Sequence, residues 1–179
     1  MLENVRADLT RARLTWKVGS GLPFLRALVG AYGLHALLVY RLGRWLDSLW
    51  RQPAGLPIAL VLFLPYRLLA AYVTHAYGVR LELSAAIGPG LYVGHFSGIR
   101  LADCQVGAGC AINHRVTIVG CPGEGNGPII GNAVWIGPHV EIRGRTQVGD
   151  GSTVAAGSRV LEDVSERCLV MGNPARVVH

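Results

Sequence analysis

Residues 130–160 read IGNAVW IGPHVE IRGRTQ VGDGST VAAGSR V, with an aliphatic residue at the start of every block of six. The same spacing occurs upstream at two sets of three residues, separated by one extra residue: Ile87, Val93 and Ile99, then Val106, Ile112 and Ile118. We name these aliphatic positions the guide residues. A period of six that extends over this many positions predicts a repeat solenoid.

A period of six has a simple structural meaning. Each hexapeptide supplies one short strand and one corner, and three of them complete a triangular coil of about 18 residues. Coils stack at the usual strand spacing of about 4.8 Å, so the guide residues form aliphatic ladders inside the prism. The chain contains 24 glycines, many directly after a guide residue, and glycine tolerates the conformations that tight corners need. We therefore expect a parallel β-helix over residues 81–179.

The repeat is interrupted between Ile118 and Ile130. Residues 120–128 read GCPGEGNGP, which cannot form a regular strand and corner. We expect this segment to be an extruded loop, and a loop that leaves a stacked solenoid commonly lines a functional surface. Within it, Glu124 and Asn126 are candidates for contacts to a substrate.

Residues 1–80 carry helical periodicity instead. Apolar residues recur at helical spacing from Phe24 to Trp50, and residues 56–73 are almost wholly apolar. Pro57, Pro65 and Arg67 weigh against a membrane span, because a central charge costs several kcal/mol on insertion scales. The segment is interpreted first as a buried helix in an oligomer core, second as a helix lying on a membrane, and third as a true span.

Positive charge is concentrated in this helical half. Residues 1–80 hold ten Arg and Lys against three acids, or 10 − 3 = +7, whereas the whole chain has a net charge of +6. Because these charges lie among apolar and aromatic residues, they suit an anionic membrane surface better than nucleic acid. A solvated basic helix face is the equally open alternative. We expect residues 1–80 to form a region for oligomerisation or membrane-surface contact.

The four cysteines have no CxxC spacing, and the charged start of the chain lacks the apolar segment of a secretory signal peptide. Both features predict reduced thiols in a cytoplasmic protein, which could be peripheral at the inner face of the cytoplasmic membrane.

Five motifs of the second half belong together: IGPGLYVGHFSG at 87–98, VTIVG at 116–120, VWIG at 134–137, AAGS at 155–158 and GNPAR at 172–176. In this order they resemble the motifs of the serine acetyltransferase-like hexapeptide acyltransferases. The helical segment YRLGRW at 40–45 is similar to the polysaccharide-biosynthesis members of this family. The resemblance implies a left-handed β-helix, a homotrimer, acetyl-CoA bound between neighbouring prisms, and His95 as the general base.

The chain departs from the family at positions that face the acceptor. Serine acetyltransferases carry Asp directly before the catalytic histidine, where this chain has Gly94, and Arg-His at the end of the loop, where it has Asn126-Gly127. In the family a carboxylate supports the catalytic base, and its position would fall near Arg80 of this chain. Arginine cannot take that role, so Glu82, the nearest acid, is the candidate for it. These departures favour a sugar or polysaccharide precursor over free serine as the acceptor.

Transfer of an acetyl group from a thioester to a hydroxyl needs a base for the hydroxyl proton, a donor for the oxyanion and a surface that holds both substrates in line. His114 follows its guide Ile112 by two residues, as His95 follows Val93, so the two histidines are expected to stack in successive coils. His114 is then a second candidate for acid–base work or acceptor binding, although a surface role is the simpler interpretation.

Candidates for coenzyme A binding lie on later coils. The small residues at Gly137, Ala155, Ala156 and Gly157 would let a cofactor approach the backbone, and Arg159 and Arg176 could meet its phosphates. No metal is expected, since a zinc centre of the carbonic-anhydrase type needs three histidine ligands.

The first functional hypothesis is therefore an acetyl-CoA-dependent sugar O-acetyltransferase with a role in exopolysaccharide biosynthesis. The alternatives are a serine O-acetyltransferase and a non-catalytic β-helix scaffold.

Overall fold

The structure is a computed structural model that describes residues 2–16, 31–52, 55–94, 97–121 and 127–178. The described residues begin with three helices: α1 (Leu2–Trp16), α2 (Tyr32–Trp50) and α3 (Leu56–Tyr77). Helix α3 has a proline in its first turn and ends at Gly78, which adopts a left-handed conformation with φ of 63°. Proline at a helix start and glycine just past its end are the usual signals for these boundaries.

Fifteen short strands follow in the part of the chain that the structure describes. They are β1 (Val79–Leu81), β2 (Ala86–Ile87), β3 (Tyr92–Val93), β4 (Ile99–Ala102), β5 (Gln105–Val106), β6 (Ala111–Ile112), β7 (Thr117–Val119), β8 (Ile129–Ile130), β9 (Trp135–Ile136), β10 (Glu141–Arg143), β11 (Gln147–Val148), β12 (Thr153–Val154), β13 (Arg159–Val160), β14 (Leu169–Gly172) and β15 (Ala175–Val177). Strands three apart pair in parallel from β1 to β13, β12 pairs in parallel with β14, and β15 runs antiparallel to its neighbour β14.

The strands form the three faces of a prism. Face A is β1-β4-β7-β10-β13, face B is β2-β5-β8-β11, and face C is β3-β6-β9-β12-β14 with β15 at its edge. On face C the guide residues stack in the order Val93, Ile112, Ile136, Val154 and Val170. These ladders form the core of the prism, so the predicted left-handed parallel β-helix with preceding helices is confirmed.

On face A the register differs from the regular spacing. Leu101, and not Ile99, pairs with Ile118 in the ladder, while Ile99 pairs with Val79. The extra residue that interrupts the repeat is therefore the net result of two changes. The step from Val93 to Leu101 is eight residues, two more than the period, and the step from Leu101 to Val106 is five, one fewer. The lengthened step contains His95.

Glycine after a guide residue has a steric cause in the prism. A Cβ atom on Gly107 would lie 2.6 Å from the carbonyl carbon of Gly131 in the next coil. Coil stacking leaves no room for a side chain at this position, and the same constraint explains the recurrence of glycine along the repeat.

The helical region covers the open end of the first coil. Asp8 on α1 and Arg41 on α2 form an ion pair at 3.1 Å, with side chains 0% and 5% exposed. Arg41 Nη1 and Nη2 donate to the carbonyls of Ile87 and Gly88, and the Asp8 carboxylate accepts from the Gly90 N–H at 2.7 Å. These backbone groups have no preceding coil to pair with, so the ion pair satisfies groups that would otherwise be buried without partners.

Tyr40 reinforces this cap. Its hydroxyl donates to the Ala85 carbonyl at 2.6 Å and accepts from the Ile87 N–H at 3.3 Å, and burial raises its pKa. Leu37 and Tyr40 belong to the same hydrophobic core as the guide residues. Helix α2 and the β-helix therefore share one core, while Ala12 on α1 packs with Ala31 and Leu34 in a second cluster.

Helix α3 is the exception to this packing. Ala59 and Val73 are its buried residues, and most of its other apolar side chains face solvent. By length and composition it is the candidate membrane span among the described helices, with 11% of its most apolar window buried. The protomer itself therefore does not bury this helix, which the sequence favoured as part of an oligomer core.

All four cysteines are unpaired, and their environments differ. Burial raises the pKa of Cys104 to about 12, and burial also raises the pKa of Cys110, whereas Cys121 is exposed. Because the thiolate is the reactive form, a raised pKa lowers reactivity at neutral pH.

We expect a thiol reagent such as Ellman's reagent to modify Cys121 rapidly at pH 8, Cys168 more slowly, and Cys104 and Cys110 only after unfolding. The control is Cys121→Ser, which should remove the fast phase alone. Rapid labelling of all four thiols in the native protein would contradict the packing of the prism.

Candidate functional site

One edge of the prism collects the residues that carry chemistry. It consists of the corners between faces C and A, at residues 97–98, 114–115, 138–139 and 156–157, and we name it the histidine edge. Backbone hydrogen bonds join its corners: the N–H groups of Arg115, His139 and Gly157 donate to the carbonyls of Ser97, His114 and Pro138, at 2.8–3.0 Å. A ligand laid along this edge would contact several coils at once.

Two histidines meet on this edge. The rings of His114 and His139 lie edge to face, with their centroids 5.5 Å apart. His114 is half-buried and His139 is exposed, on a left-handed corner with φ of 60°. The structure thus adds His139 to the residues around His114.

His95 and Phe96 lie outside the described residues, but the chain on both sides of them is defined. Gly94 donates its N–H to the Ile112 carbonyl, which keeps β3 and β6 in the predicted register up to this point. Four residues, 95–98, then connect Gly94 to Ile99, whereas two residues, 114–115, make the equivalent connection in the next coil. The corner of His95 is thus two residues longer than the corner of His114.

Gly94 lies against a polar side chain of the neighbouring coil. A Cβ atom at this position would lie 2.8 Å from Oδ1 of Asn113. The Asn113 side chain is held in place, because its Nδ2 donates to the Ile136 carbonyl at 3.0 Å. An amide therefore occupies the space beside Gly94. Neither composition nor period indicated Asn113 as a site residue, because its role depends on the stacking of the two coils.

The candidate cofactor residues fall into two groups. Gly137 is buried, and a Cβ atom there would lie 2.7 Å from the Ala156 nitrogen, so coil stacking accounts for this glycine. Ala156 and Gly157 are exposed on the histidine edge, Ala155 is half-buried beside them, and a Cβ on Gly157 would meet no atom within 4 Å. This open backbone below the two histidines would admit a cofactor.

The two candidate arginines lie beyond the edge and already have partners. Arg159 extends from β13 on face A, with its Nε 3.6 Å from Glu141. Arg176 on β15 pairs with Glu162 at 2.9 Å. Both pairs are largely exposed, so each arginine can exchange its carboxylate for another anion at little cost.

Glu82 lies away from the histidine edge. Its backbone N–H donates to the Leu101 carbonyl, which puts it at the far end of face A from the corner that contains His95. Its carboxylate accepts two hydrogen bonds from Arg100, at 3.1 and 3.3 Å. The structure thus brings His114 and His139 together but does not bring Glu82 to them.

The extruded loop closes tightly at its base. Residues 122–126, which include Glu124 and Asn126, lie outside the described residues. A Cβ atom on Gly127 would overlap the carbonyl oxygen of Asp103 and lie 3.1 Å from the Gly120 Cα. Packing therefore requires glycine at the position where the sequence comparison indicated the loss of a family histidine.

A groove of about 590 Å³ lies on face B, opposite the histidine edge. It runs between this face and the helices, and Arg44, Trp45 and Gln105 line it. Arg44 Nη1 donates to the Leu83 carbonyl at 3.0 Å, so that guanidinium already contributes to docking α2. None of the described histidines lines this groove, and we assign the candidate site to the histidine edge.

Known proteins resemble this chain over nearly its whole length. Residues 127–162 match the family model described as bacterial transferase hexapeptide (six repeats). Serine acetyltransferase 2 of Arabidopsis thaliana is 34% identical over 160 residues, which is 88% of this chain and 46% of the relative. The serine acetyltransferase of Escherichia coli K12 is 32% identical over 178 residues, or 98% of this chain and 59% of the relative.

Solved structures agree with these matches. The soybean serine acetyltransferase apoenzyme superposes with a TM-score of 0.77 at 31% identity, covering 98% of this chain and 68% of that one. A serine acetyltransferase of Brucella abortus in complex with coenzyme A gives a TM-score of 0.78 at 27% identity, with 98% and 66% covered. The chain spans about half the length of the curated relatives it matches, between 42% and 60% for the first four.

These matches correct one prediction. The relatives and the solved structures named above are serine acetyltransferases, so the prediction of a sugar or polysaccharide acceptor was wrong. That prediction depended on Gly94 and Gly127. Local packing against Asn113 and Asp103 explains both glycines without a change of acceptor.

Proposed function

Because the chain belongs to the serine acetyltransferase-like hexapeptide-repeat acyltransferases, we propose that it transfers the acetyl group of acetyl-CoA to the hydroxyl of serine. The observation that carries the proposal is the similarity to serine acetyltransferases over 98% of this chain, helices and β-helix together. The solved complex of a related enzyme with coenzyme A supports the choice of donor.

The chemistry needs one base and no protein nucleophile, because the thioester is already activated. In the proposed mechanism the imidazole of His95 accepts the serine hydroxyl proton while the hydroxyl oxygen attacks the acetyl carbonyl carbon. The tetrahedral intermediate then collapses, the C–S bond breaks, and the departing thiolate takes the proton back from the imidazolium. The products are O-acetylserine and coenzyme A, and the histidine returns to its starting state.

A homotrimer with acetyl-CoA between neighbouring prisms completes the proposal. The histidine edge is an open surface in the single chain, which suits a site that a second prism closes. Trp135, on the outer side of face C and 43% exposed, offers an apolar contact for such a neighbour. The exposed backbone at Ala156 and Gly157 is the proposed path of coenzyme A, with Arg159 or Arg176 meeting its phosphates.

A cytoplasmic location fits this donor. The four unpaired cysteines support a reducing compartment, where disulfides are rare.

We assign His114 to holding the acceptor, with His139 positioning its ring. His114→Gln is expected to raise the KM for serine by roughly tenfold or more, since a hydrogen bond to a charged group contributes about 1.5–3 kcal/mol. His139→Gln should produce a smaller increase in the same constant. The KM for acetyl-CoA should change little in either variant.

The control for both is Gln147→Ala, an exposed position on face B. Steady-state kinetics with each substrate varied in turn separate the two constants. An unchanged KM for serine in His114→Gln would remove His114 from the acceptor site. It would leave the assignment of His95 as the base intact.

A further inference from the structure

Helix α3 exposes more apolar surface than any other described element. Nine of its large apolar side chains are between 43% and 73% exposed: Leu56, Ile58, Leu60, Val61, Phe63, Leu64, Leu68, Leu69 and Tyr72. Soluble proteins rarely leave a contiguous apolar patch of this size uncovered, and such patches mark contact sites for proteins or membranes.

The exposed residues form a continuous stripe. At 100° per residue, six of these side chains fall within an arc about 140° wide, on the side of α3 that faces away from the protein. They are Ile58, Val61, Leu64, Leu68, Leu69 and Tyr72. The stripe runs from Ile58 to Tyr72, about 21 Å along the helix axis. No charged residue falls within it, and Arg67 lies on its flank.

A basic groove runs beside this stripe. It has a volume of about 300 Å³ and is lined by Tyr66, Arg67, Thr74, His75 and Arg80, together with Ala70 and Ala71. Arg67 and Arg80 are both exposed. Two guanidinium groups beside a groove of this size suit a phosphate group, because arginine binds phosphate oxygens with paired N–H donors.

Charge favours a lipid surface over a second copy of the chain as the occupant. The arginines exposed beside the stripe are Arg67 and Arg80, and no acid of the described residues lines the groove between them. Of the three acids in residues 1–80, Asp8 is buried against Arg41 and Asp47 pairs with Arg51. Two copies joined through this face would bring like charges together, whereas anionic lipids would neutralise them.

The packing of α3 decides its orientation. Ala59 near one end is 0% exposed and Val73 near the other is 5% exposed, so both ends of the helix pack against the protein. Gly78 then leads directly into β1. The helix cannot cross a bilayer without losing its packing against α2. It can lie parallel to the membrane surface with its stripe facing the bilayer. Trp50 is 42% exposed and its ring meets Phe63 edge to face at 6.1 Å, which adds an aromatic side chain of the kind that membrane interfaces favour.

We propose that α3 lies in the interface of an anionic membrane, with its apolar stripe among the acyl chains and a lipid phosphate in the groove between Arg67 and Arg80. This would hold the β-helix at the membrane surface. The contact is separate from the histidine edge, and it does not depend on which acceptor the enzyme uses.

The test is co-sedimentation of the full chain with vesicles. Vesicles of phosphatidylcholine with about one third phosphatidylglycerol should sediment the protein, and pure phosphatidylcholine should sediment much less. Leu64→Gln/Leu68→Gln changes two side chains that are each 64% exposed, so the fold should survive while vesicle binding is lost. Arg67→Glu/Arg80→Glu should weaken binding to the anionic vesicles by about tenfold or more.

Matched controls lie on the β-helix. Leu161→Gln changes an apolar side chain that is 52% exposed, and Arg167→Glu reverses an exposed charge; both variants should bind as the wild type does. Circular dichroism checks that every variant is folded.

Two outcomes would overturn the proposal: no sedimentation of the wild type with anionic vesicles, or binding that survives Leu64→Gln/Leu68→Gln. A fall in oligomer mass by light scattering in that variant, with no vesicle binding by the wild type, would assign the stripe to a second copy instead. Acetyl transfer measured without vesicles is a separate readout, so failure here and failure of the proposed activity are distinguishable.

Discussion

His95→Ala is expected to lower kcat for acetyl transfer by about 10²–10⁴-fold, which is the usual contribution of a positioned general base. The KM for acetyl-CoA should stay close to its wild-type value, because the proposed path of the donor follows Ala156 and Gly157 on other coils. The measurement is initial-rate release of free coenzyme A thiol at saturating acetyl-CoA and serine.

The comparison variant is Gln147→Ala, which should retain the wild-type rate. His95 lies in a corner that is two residues longer than the equivalent corner of the next coil, so its replacement should not disturb the stacked strands. Thermal unfolding should therefore be unchanged within error. Turnover at the wild-type rate in His95→Ala would remove this histidine from the chemistry.

Asp8→Ala should have the largest effect on stability. It leaves the Arg41 guanidinium buried without its counterion and the Gly90 N–H without its acceptor. Breaking a buried ion pair by removing one partner typically costs about 3–5 kcal/mol. Urea unfolding followed by circular dichroism should show a correspondingly lower free energy of unfolding.

The matched control is Asp47→Ala, which breaks the solvent-exposed pair with Arg51. Exposed pairs contribute about 0–1 kcal/mol, so this variant should unfold almost as the wild type does. Equal effects of the two substitutions would mean that Asp8 and Arg41 do not hold the helices on the first coil.

The β-helix could be predicted from the sequence because its signal is periodic. Ile130 to Val160 repeat without error, and their ladders appear in the structure in the expected register. The face A ladder could not be predicted in the same way. Both Ile99 and Leu101 are aliphatic and buried, and only strand pairing shows that Leu101 is the residue aligned with Ile118.

The candidate site was predictable only in part. His114 was identified by its spacing from Ile112, but His139 sits one residue further from its own guide, Ile136, and so falls outside a strict register. A left-handed corner turns it back onto His114. Gly94 and Gly127 were interpreted as lost substrate contacts because the sequence does not show which atoms of the neighbouring coils occupy their side-chain space.

The helical half illustrates the limit of charge counting. Arg41 was counted with the basic residues expected at a surface, yet it is buried and bound to the first coil. A sequence does not distinguish a guanidinium that caps open backbone groups from one that faces solvent. The apolar character of α3, in contrast, was visible in the sequence, and its exposure is what the structure adds.

The most direct test of the proposed function is the reaction itself. The purified chain is incubated with acetyl-CoA and L-serine, and the products are identified by mass spectrometry. We expect O-acetylserine and free coenzyme A in equal amounts, and no release of the thiol above background when serine is omitted. Release of coenzyme A that does not depend on serine, or no O-acetylserine above the level of His95→Ala, would contradict the proposed function.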